Sequence, residues 1–334
     1  MLSRSAEGLY WIGRYLERGQ HSCRLIADQF ETIKDRPVNQ IDKGWQRLFQ
    51  GLQRVPFGGR PNSNTDDEQF MLVDAYTLAD DLTFEPSNPN SIRNSLANAR
   101  ENARQVRNVV DEDLWACLNL SFLDLRDIDI TDIWKDRPNE FYRRTEDSVR
   151  TFFGIAESNM YRDDGWYFLQ LGRFIERAQL IVGLIKAQFV VYSVNDSKAG
   201  VDTDSGGDTD WLSLLRICAA RDSYRRFHSL YYEHSALVNF LVADPQLSRS
   251  IRYASAQICE ALEAVSGGRP LVVEAGRRAG RLAALIDYDW PNRNPADNNA
   301  VLAILHEIGD SCRRLHDDID TAYFSYAIGE GMDG

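Results

Sequence analysis

Two arginine–glutamate sets are the residues of this sequence best suited to chemistry. Gly13-Arg14-Tyr15-Leu16-Glu17-Arg18-Gly19-Gln20 and Gly172-Arg173-Phe174-Ile175-Glu176-Arg177-Ala178-Gln179 share the pattern G-R-x-x-E-R-x-Q, an internal repeat. On a helix, positions three and four apart share a face. Arg14, Glu17 and Arg18 therefore project together, as do Arg173, Glu176 and Arg177. Two guanidinium groups beside one carboxylate leave a positive charge over, and the planar donor fork of arginine suits a carboxylate or phosphate. Each set can thus hold an anion. By residue type alone, the commoner use of such a set is a salt-bridge cluster that locks helices together. Glu17 and Glu176 are the candidate catalytic groups, given either a carboxyl pKa raised by burial or an arginine that orients a substrate.

The elements that must position these residues are helices. From Asp163 to Val194 the apolar residues Phe168, Leu171, Ile175, Leu180, Leu184 and Ala187 recur at helical steps, which predicts a long central helix capped by Asp163 or Asp164. Ser5 to about Lys34 predicts the first helix, stopped by Pro37. Gly13 and Gly172 each cost their helix about 1 kcal/mol relative to alanine, which close approach of another backbone would explain. Further helices are expected over 42–52, 67–81, 91–110, 114–126 and 138–160, with 127–137 irregular and VPFGGRPNSNTDD a loop. The helix over 91–110 carries Arg100, Glu101, Arg104 and Arg107, by themselves a solvated face. The acidic, glycine-rich segment over 195–210 is expected to be a flexible linker between a half that carries both repeats, 1–194, and a helical half, 211–334. Helices follow over 211–241, 246–265, 270–287 and 298–328. The fold class is all-α, a multi-helix bundle with a pseudo-repeated Glu-Arg helix in two related halves.

Composition narrows the function. With 334 residues, 43% hydrophobic and 26% charged, the chain can bury a sizeable core. A formal net charge of −12 argues against a general nucleic-acid binder. The cysteines Cys23, Cys117, Cys218, Cys259 and Cys312 are scattered and odd in number, which reads as reduced thiols and a cytoplasmic location. No apolar run suits a signal peptide or a membrane span, so neither export nor a membrane partner is expected. A four-helix di-iron site needs Glu-x-x-His, which is absent. Glu17 with His21, His306 with Asp310, and His316 with Asp320 read as hydrogen-bonded pairs, and no metal site is expected. Asp317-Asp318-Ile319-Asp320 with Asp74, Asp80 and Asp81 only loosely matches the Mg²⁺ motifs of helical prenyl-diphosphate enzymes. No phosphate-cradling loop or nucleophile elbow occurs.

At the repeats the sequence resembles a known family. SRSAEGLYWIGRYLERGQ at the start, ARENARQVR at 99–107, RDDGWYFLQLGRFIERAQ at 162–179 and VNFLVADPQLSRSIRY at 238–253 resemble the alpha-E family, bacterial all-helical proteins with a shared Glu-Arg motif. The chain departs from the family's usual residues at Gly8, where Asn is common, and at Gly19, where Ala precedes Glu. The resemblance implies work beside, or fused to, circularly permuted ATP-grasp and transglutaminase-like proteins, hence a part in peptide or amide-bond formation. It also implies that ATP and Mg²⁺ are used by the partner, and that Arg104 joins the polar centre of the two Glu-Arg helices. The expected site has Arg14, Arg18, Arg173, Arg177 and Arg104 binding a carboxylate or phosphate of a peptide or amino-acid-like substrate, with Glu17 or Glu176 catalytic. That makes the chain an amide ligase or transferase component. The alternative is a non-catalytic helical scaffold that recruits the same partners.

Overall fold

A computed structural model describes residues 1–33, 38–55, 68–135, 137–196, 206–228, 233–266 and 270–325, and among these there are helices and no strand. In chain order they are α1 (Ser3–Ile33), α2 (Val38–Gly51), α3 (Glu68–Thr83), α4 (Ile92–Gln105), α5 (Glu112–Arg126), α6 (Ile130–Lys135), α7 (Pro138–Asn159) and α8 (Asp164–Asp196). The rest are α9 (Gly206–Ile217), α10 (Arg221–Phe227), α11 (His234–Ala243), α12 (Ile251–Val265), α13 (Pro270–Ala284), α14 (Trp290–Asn292) and α15 (Asn298–Ile319). Two π-helical turns, Leu285–Asp289 and Asp320–Phe324, extend α13 and α15. The all-α class is as expected. No described helix is long and apolar enough to cross a membrane.

The fold is built on α1 and α8. The Asp163 carboxylate accepts from the Gly165 and Trp166 amides and starts α8. The helix then runs for 33 residues, with Phe168, Leu169, Leu171, Ile175, Ala178, Leu184 and Ile185 buried along it. α1 lies across it, and the two backbones touch where each helix has its glycine. A Cβ on Gly172 would fall inside the van der Waals radius of the Tyr10 carbonyl oxygen, and one on Gly13 inside that of the Leu169 carbonyl. Glycine is thus required at both points, as the sequence suggested. Around this crossing, α4 and α7 pack on α1, while α12, α2 and α15 pack on α8. The two helices of the crossing thus have different neighbours.

Some boundaries differ from expectation for local reasons. The 127–137 stretch contains α6, whose Ile130 and Ile133 are buried and whose start is held by Asp129, which accepts from Thr131 and Asp132. The helix expected over 211–241 is three helices. The first break is at Ala219, which adopts φ 49°, where neither glycine nor proline signals it. Of the acidic linker expected over 195–210, α8 continues to Asp196 and α9 begins at Gly206, and 197–205 lies outside the described residues, as does most of the VPFGGRPNSNTDD loop.

Candidate functional site

The crossing brings the two octapeptides face to face, and each glutamate is held by the arginines of the other helix. The Glu176 Oε2 accepts from Arg14 Nε at 2.6 Å and Arg18 Nη2 at 3.1 Å, and its Oε1 from Arg18 Nε at 2.7 Å. Reciprocally, Arg177 donates Nε to Glu17 Oε1 at 2.8 Å and Nη2 to Oε2 at 2.7 Å, and Arg173 Nε lies 3.7 Å from Glu17 Oε2. All six residues that the repeat singled out therefore meet.

The two sets differ in what closes them. The Glu17 carboxylate is 2% exposed. A third arginine, Arg249 at the start of α12, reaches in, donating to Glu17 Oε1 at 3.0 Å and to Gln20 Oε1 at 3.1 Å. Arg177 also donates to the Ser248 carbonyl, and Arg173 lies 3.9 Å over the Phe153 ring. Burial by itself would raise the Glu17 carboxyl pKa, but the charges of Arg177, Arg249 and Arg173, with the Arg177 hydrogen bonds, outweigh it and hold it well below the ordinary value. Three guanidinium groups on one carboxylate weigh on the arginines, and burial with neighbouring like charge pushes Arg173 and Arg249 down.

The Glu176 set opens instead on a cleft of about 180 Å³ between α8, the C-terminal end of α2, and α15. Arg14, Arg18 and Glu176 lie at its floor, with Asn90 and Gln179 beside them. Arg18 donates its Nη1 to the Asn90 side-chain carbonyl, and Arg14 donates Nη2 to Gln179 Oε1 at 2.7 Å. Arg14 also donates to the Tyr10 hydroxyl at 3.2 Å, which in turn bonds His316 Nδ1 at 2.8 Å. Arg54, Lys186 and Arg313 line the outer cleft. Arg54 is committed to Asp81 through two bonds of 2.6 and 2.5 Å. Burial raises the Glu176 carboxyl, and the charges and hydrogen bonds of Arg14 and Arg18 more than reverse this, leaving it at about 2. Both glutamates are thus ionised acceptors, and neither has the raised carboxyl pKa that general acid–base work would want.

Arg104 stands apart from both sets. It is exposed on α4, bonded to Glu101 one turn earlier, and outside the residues that line the cleft. Gly8 packs on Val106 and Gly19 near Ser95, so both face α4. Arg249 carried a signal, since it falls within the family-like stretch at 238–253, as did the glutamine that closes each octapeptide. Lys186 and Arg313 carried none. The histidines have other engagements: His316 with Tyr10, and His306 with the Leu302 carbonyl. Among the described residues no cluster of His, Cys, Asp and Glu could hold a metal ion.

Comparison with known proteins agrees with this geometry. The sequence model of Alpha-E, described as a predicted alpha-helical domain with a conserved ER motif, matches residues 1–324. The Glu17-Arg18 and Glu176-Arg177 dipeptides lie within that match. Uncharacterized proteins of Mycobacterium bovis and Mycobacterium tuberculosis are 20% identical over 266 residues, which is 75% of this chain and 28% of theirs. The chain thus spans little more than a quarter of the length of these curated relatives. No solved structure matches.

Proposed function

The chain belongs to the Alpha-E family, and on that premise we propose that it is the substrate-handling component of a peptide or amide-bond forming system, acting with an ATP-grasp partner. The observation that carries this reading is the cleft over Glu176, where Arg14 and Arg18 share one carboxylate and face a cavity. A carboxylate or phosphate of a peptide-like ligand fits there, because it supplies the second negative charge that the two guanidinium groups lack.

In this reading Arg18 moves most readily between Glu176 and ligand, being 15% exposed against 7% for Arg14. An anion that draws Arg18 away frees a Glu176 oxygen to accept from the ligand's amine, so that one ligand meets both signs of charge. Glu176 then acts through orientation rather than by taking a proton, since a carboxyl held at about 2 is a weak base. ATP and Mg²⁺ are used by the partner. The mycobacterial relatives extend far beyond the segment they share with this chain, as expected where such a unit is fused to others. A transglutaminase-like protein is a second candidate partner.

The scaffold reading has its own support in the Glu17 set, which is sealed and saturated with donors. The two readings divide on calorimetry with acidic peptides, phosphorylated amino acids and ATP, using the parent protein and Arg18→Gln. Binding by the parent that Arg18→Gln abolishes, with helicity retained, is expected. A folded parent that binds none of these, yet captures an ATP-grasp protein, would leave the scaffold alone.

A further inference from the structure

The cleft holds more positive charge than one anionic group needs, and it holds it in two places. At the floor, Arg14 and Arg18 are largely buried and share Glu176. At the rim, Lys186 from α8 and Arg313 from α15 line the same cavity. Arg313 is 55% exposed and pairs with Asp310 on the open surface, a contact of the kind worth little. Lys186 is half-buried, and no ion pair is recorded for it among the described residues. Its pKa is lowered by burial and then by the Arg313 charge, so two like charges are held near one another at the mouth. One carboxylate, Asp310, lies beside these two cations, pairing with Arg313 and opposing the lowering of Lys186, so the rim keeps one positive charge over; Glu176 is bonded to the floor arginines.

The separation of the two places follows from the helix that carries them. From Glu176 to Lys186, α8 rises about 15 Å, and two anions seated between these places, each about 3 Å from its cation, would lie about 10 Å apart. The rest of the lining is uncharged apart from Arg54, which Asp81 holds, with Leu52, Leu82, Leu180 and Val182 beside the neutral amides of Gln53, Asn88 and Gln179. Backbone lies bare there, for Gly51 and Gly183 meet with no room for a side chain on Gly183.

We infer that the ligand is an elongated peptide-like diacid, with one anionic group on Arg14 and Arg18, a second on Lys186 and Arg313, and an apolar or neutral stretch between. This rests on the anion-binding reading of the floor and extends it from one charge to two. A peptide with a free C-terminal carboxylate and an acidic side chain some residues earlier has this form.

The test uses simple probes of equal chain length, octanoate with one carboxylate and suberate with two, titrated calorimetrically into the whole chain. Suberate is expected to bind about tenfold more tightly than octanoate, the worth of one further ion pair. Lys186→Gln is expected to bring the ratio close to one, with circular dichroism confirming the fold. Equal binding of the two acids by the parent, or a preference that survives both Lys186→Gln and Arg313→Gln, overturns the second subsite and leaves the floor site standing. Failure of a folded parent to bind either acid at millimolar concentration overturns both.

Discussion

At the level of single residues, chemically matched glutamates have been put to different uses. Glu17 and Glu176 hold the same place in their octapeptides and pair with the arginines of the opposite helix, Glu176 accepting from Arg14 and Arg18, Glu17 accepting from Arg177 with Arg173 3.7 Å away. What differs is the next residue out: Arg249 covers Glu17, and a cleft lies over Glu176. Removing the Glu17 charge leaves Arg177, Arg249 and the partly exposed Arg173 around an uncharged group. Glu17→Gln is therefore expected to cost about 3 to 5 kcal/mol in chemical denaturation, the range for breaking a buried pair. Glu176→Gln should destabilise as well, but with a distinguishing sign in the presence of ligand. With the internal carboxylate gone, Arg14 and Arg18 hold two uncompensated charges, so an added anion should bind more tightly and raise the melting temperature more than in the parent. A smaller anion-induced rise in Glu176→Gln would count against the competition between Glu176 and ligand for Arg18. The residue pattern showed which six side chains meet. It could not show which set is sealed, because that depends on Arg249, brought in from α12 by the tertiary fold.

At the level of helices, the requirement is contact of backbone with backbone. The pair Gly13 and Gly172 lets α1 and α8 approach closely enough for short arginine–glutamate bonds across the crossing. Gly172→Ala gains about 1 kcal/mol of helix propensity. It also drives a methyl group into the Tyr10 carbonyl, and overpacking of that kind costs about 1 to 3 kcal/mol or more. A net loss of stability is expected by thermal melting, and an unchanged or raised melting temperature would show that the crossing is looser than described. A second helix end bears on the cleft. Gln53, just past α2, adopts φ 54° and lines the cavity, while the Arg54 amide bonds back to the Phe49 carbonyl in the manner of a helix C-cap. Glycine is the residue that this conformation favours, so Gln53→Gly should raise stability by about 1 kcal/mol. A fall in the denaturation midpoint would contradict that.

Helix boundaries were legible wherever side-chain chemistry marked them, as at Asp163, Ser91 and Pro138. They were not legible at Ala219, which adopts a positive φ with no glycine to mark it. The buried α6 was read as irregular because six residues give too short an apolar period to recognise.

Over the whole molecule, the buried charge makes stability depend on pH in two stages. His21 is buried, and burial with the Arg24 charge lowers its pKa to about 3 from the ordinary 6.5. Its folded-state pKa is depressed, so the unfolded chain binds the proton first and stability declines as pH falls below about 6.5. Glu17 and Glu176 are depressed below 4.5 as well, Glu176 to about 2, so their contribution is complete above about pH 4.5 and is lost as pH falls toward 2. Denaturation midpoints measured from pH 7 to pH 3 should fall gently and then steeply. His21→Gln should lessen the gentle part, to which His316, also lowered by burial, adds, and a flat profile down to pH 3 would contradict the burial of these groups. The net charge of −12 gave no hint of this interior, because it sums buried and exposed groups alike.

The central claim is that the arginines of the two octapeptides have parted, Arg18 facing a ligand and Arg173 serving the fold. The most direct measurement is calorimetric titration of one binding anion, acidic peptide or phosphate, into Arg18→Gln and Arg173→Gln side by side, each checked for native helicity. At least about a tenfold loss of affinity is expected in Arg18→Gln, and parent-like affinity in Arg173→Gln. Equal losses in the two variants, or an undiminished affinity in Arg18→Gln, would contradict it.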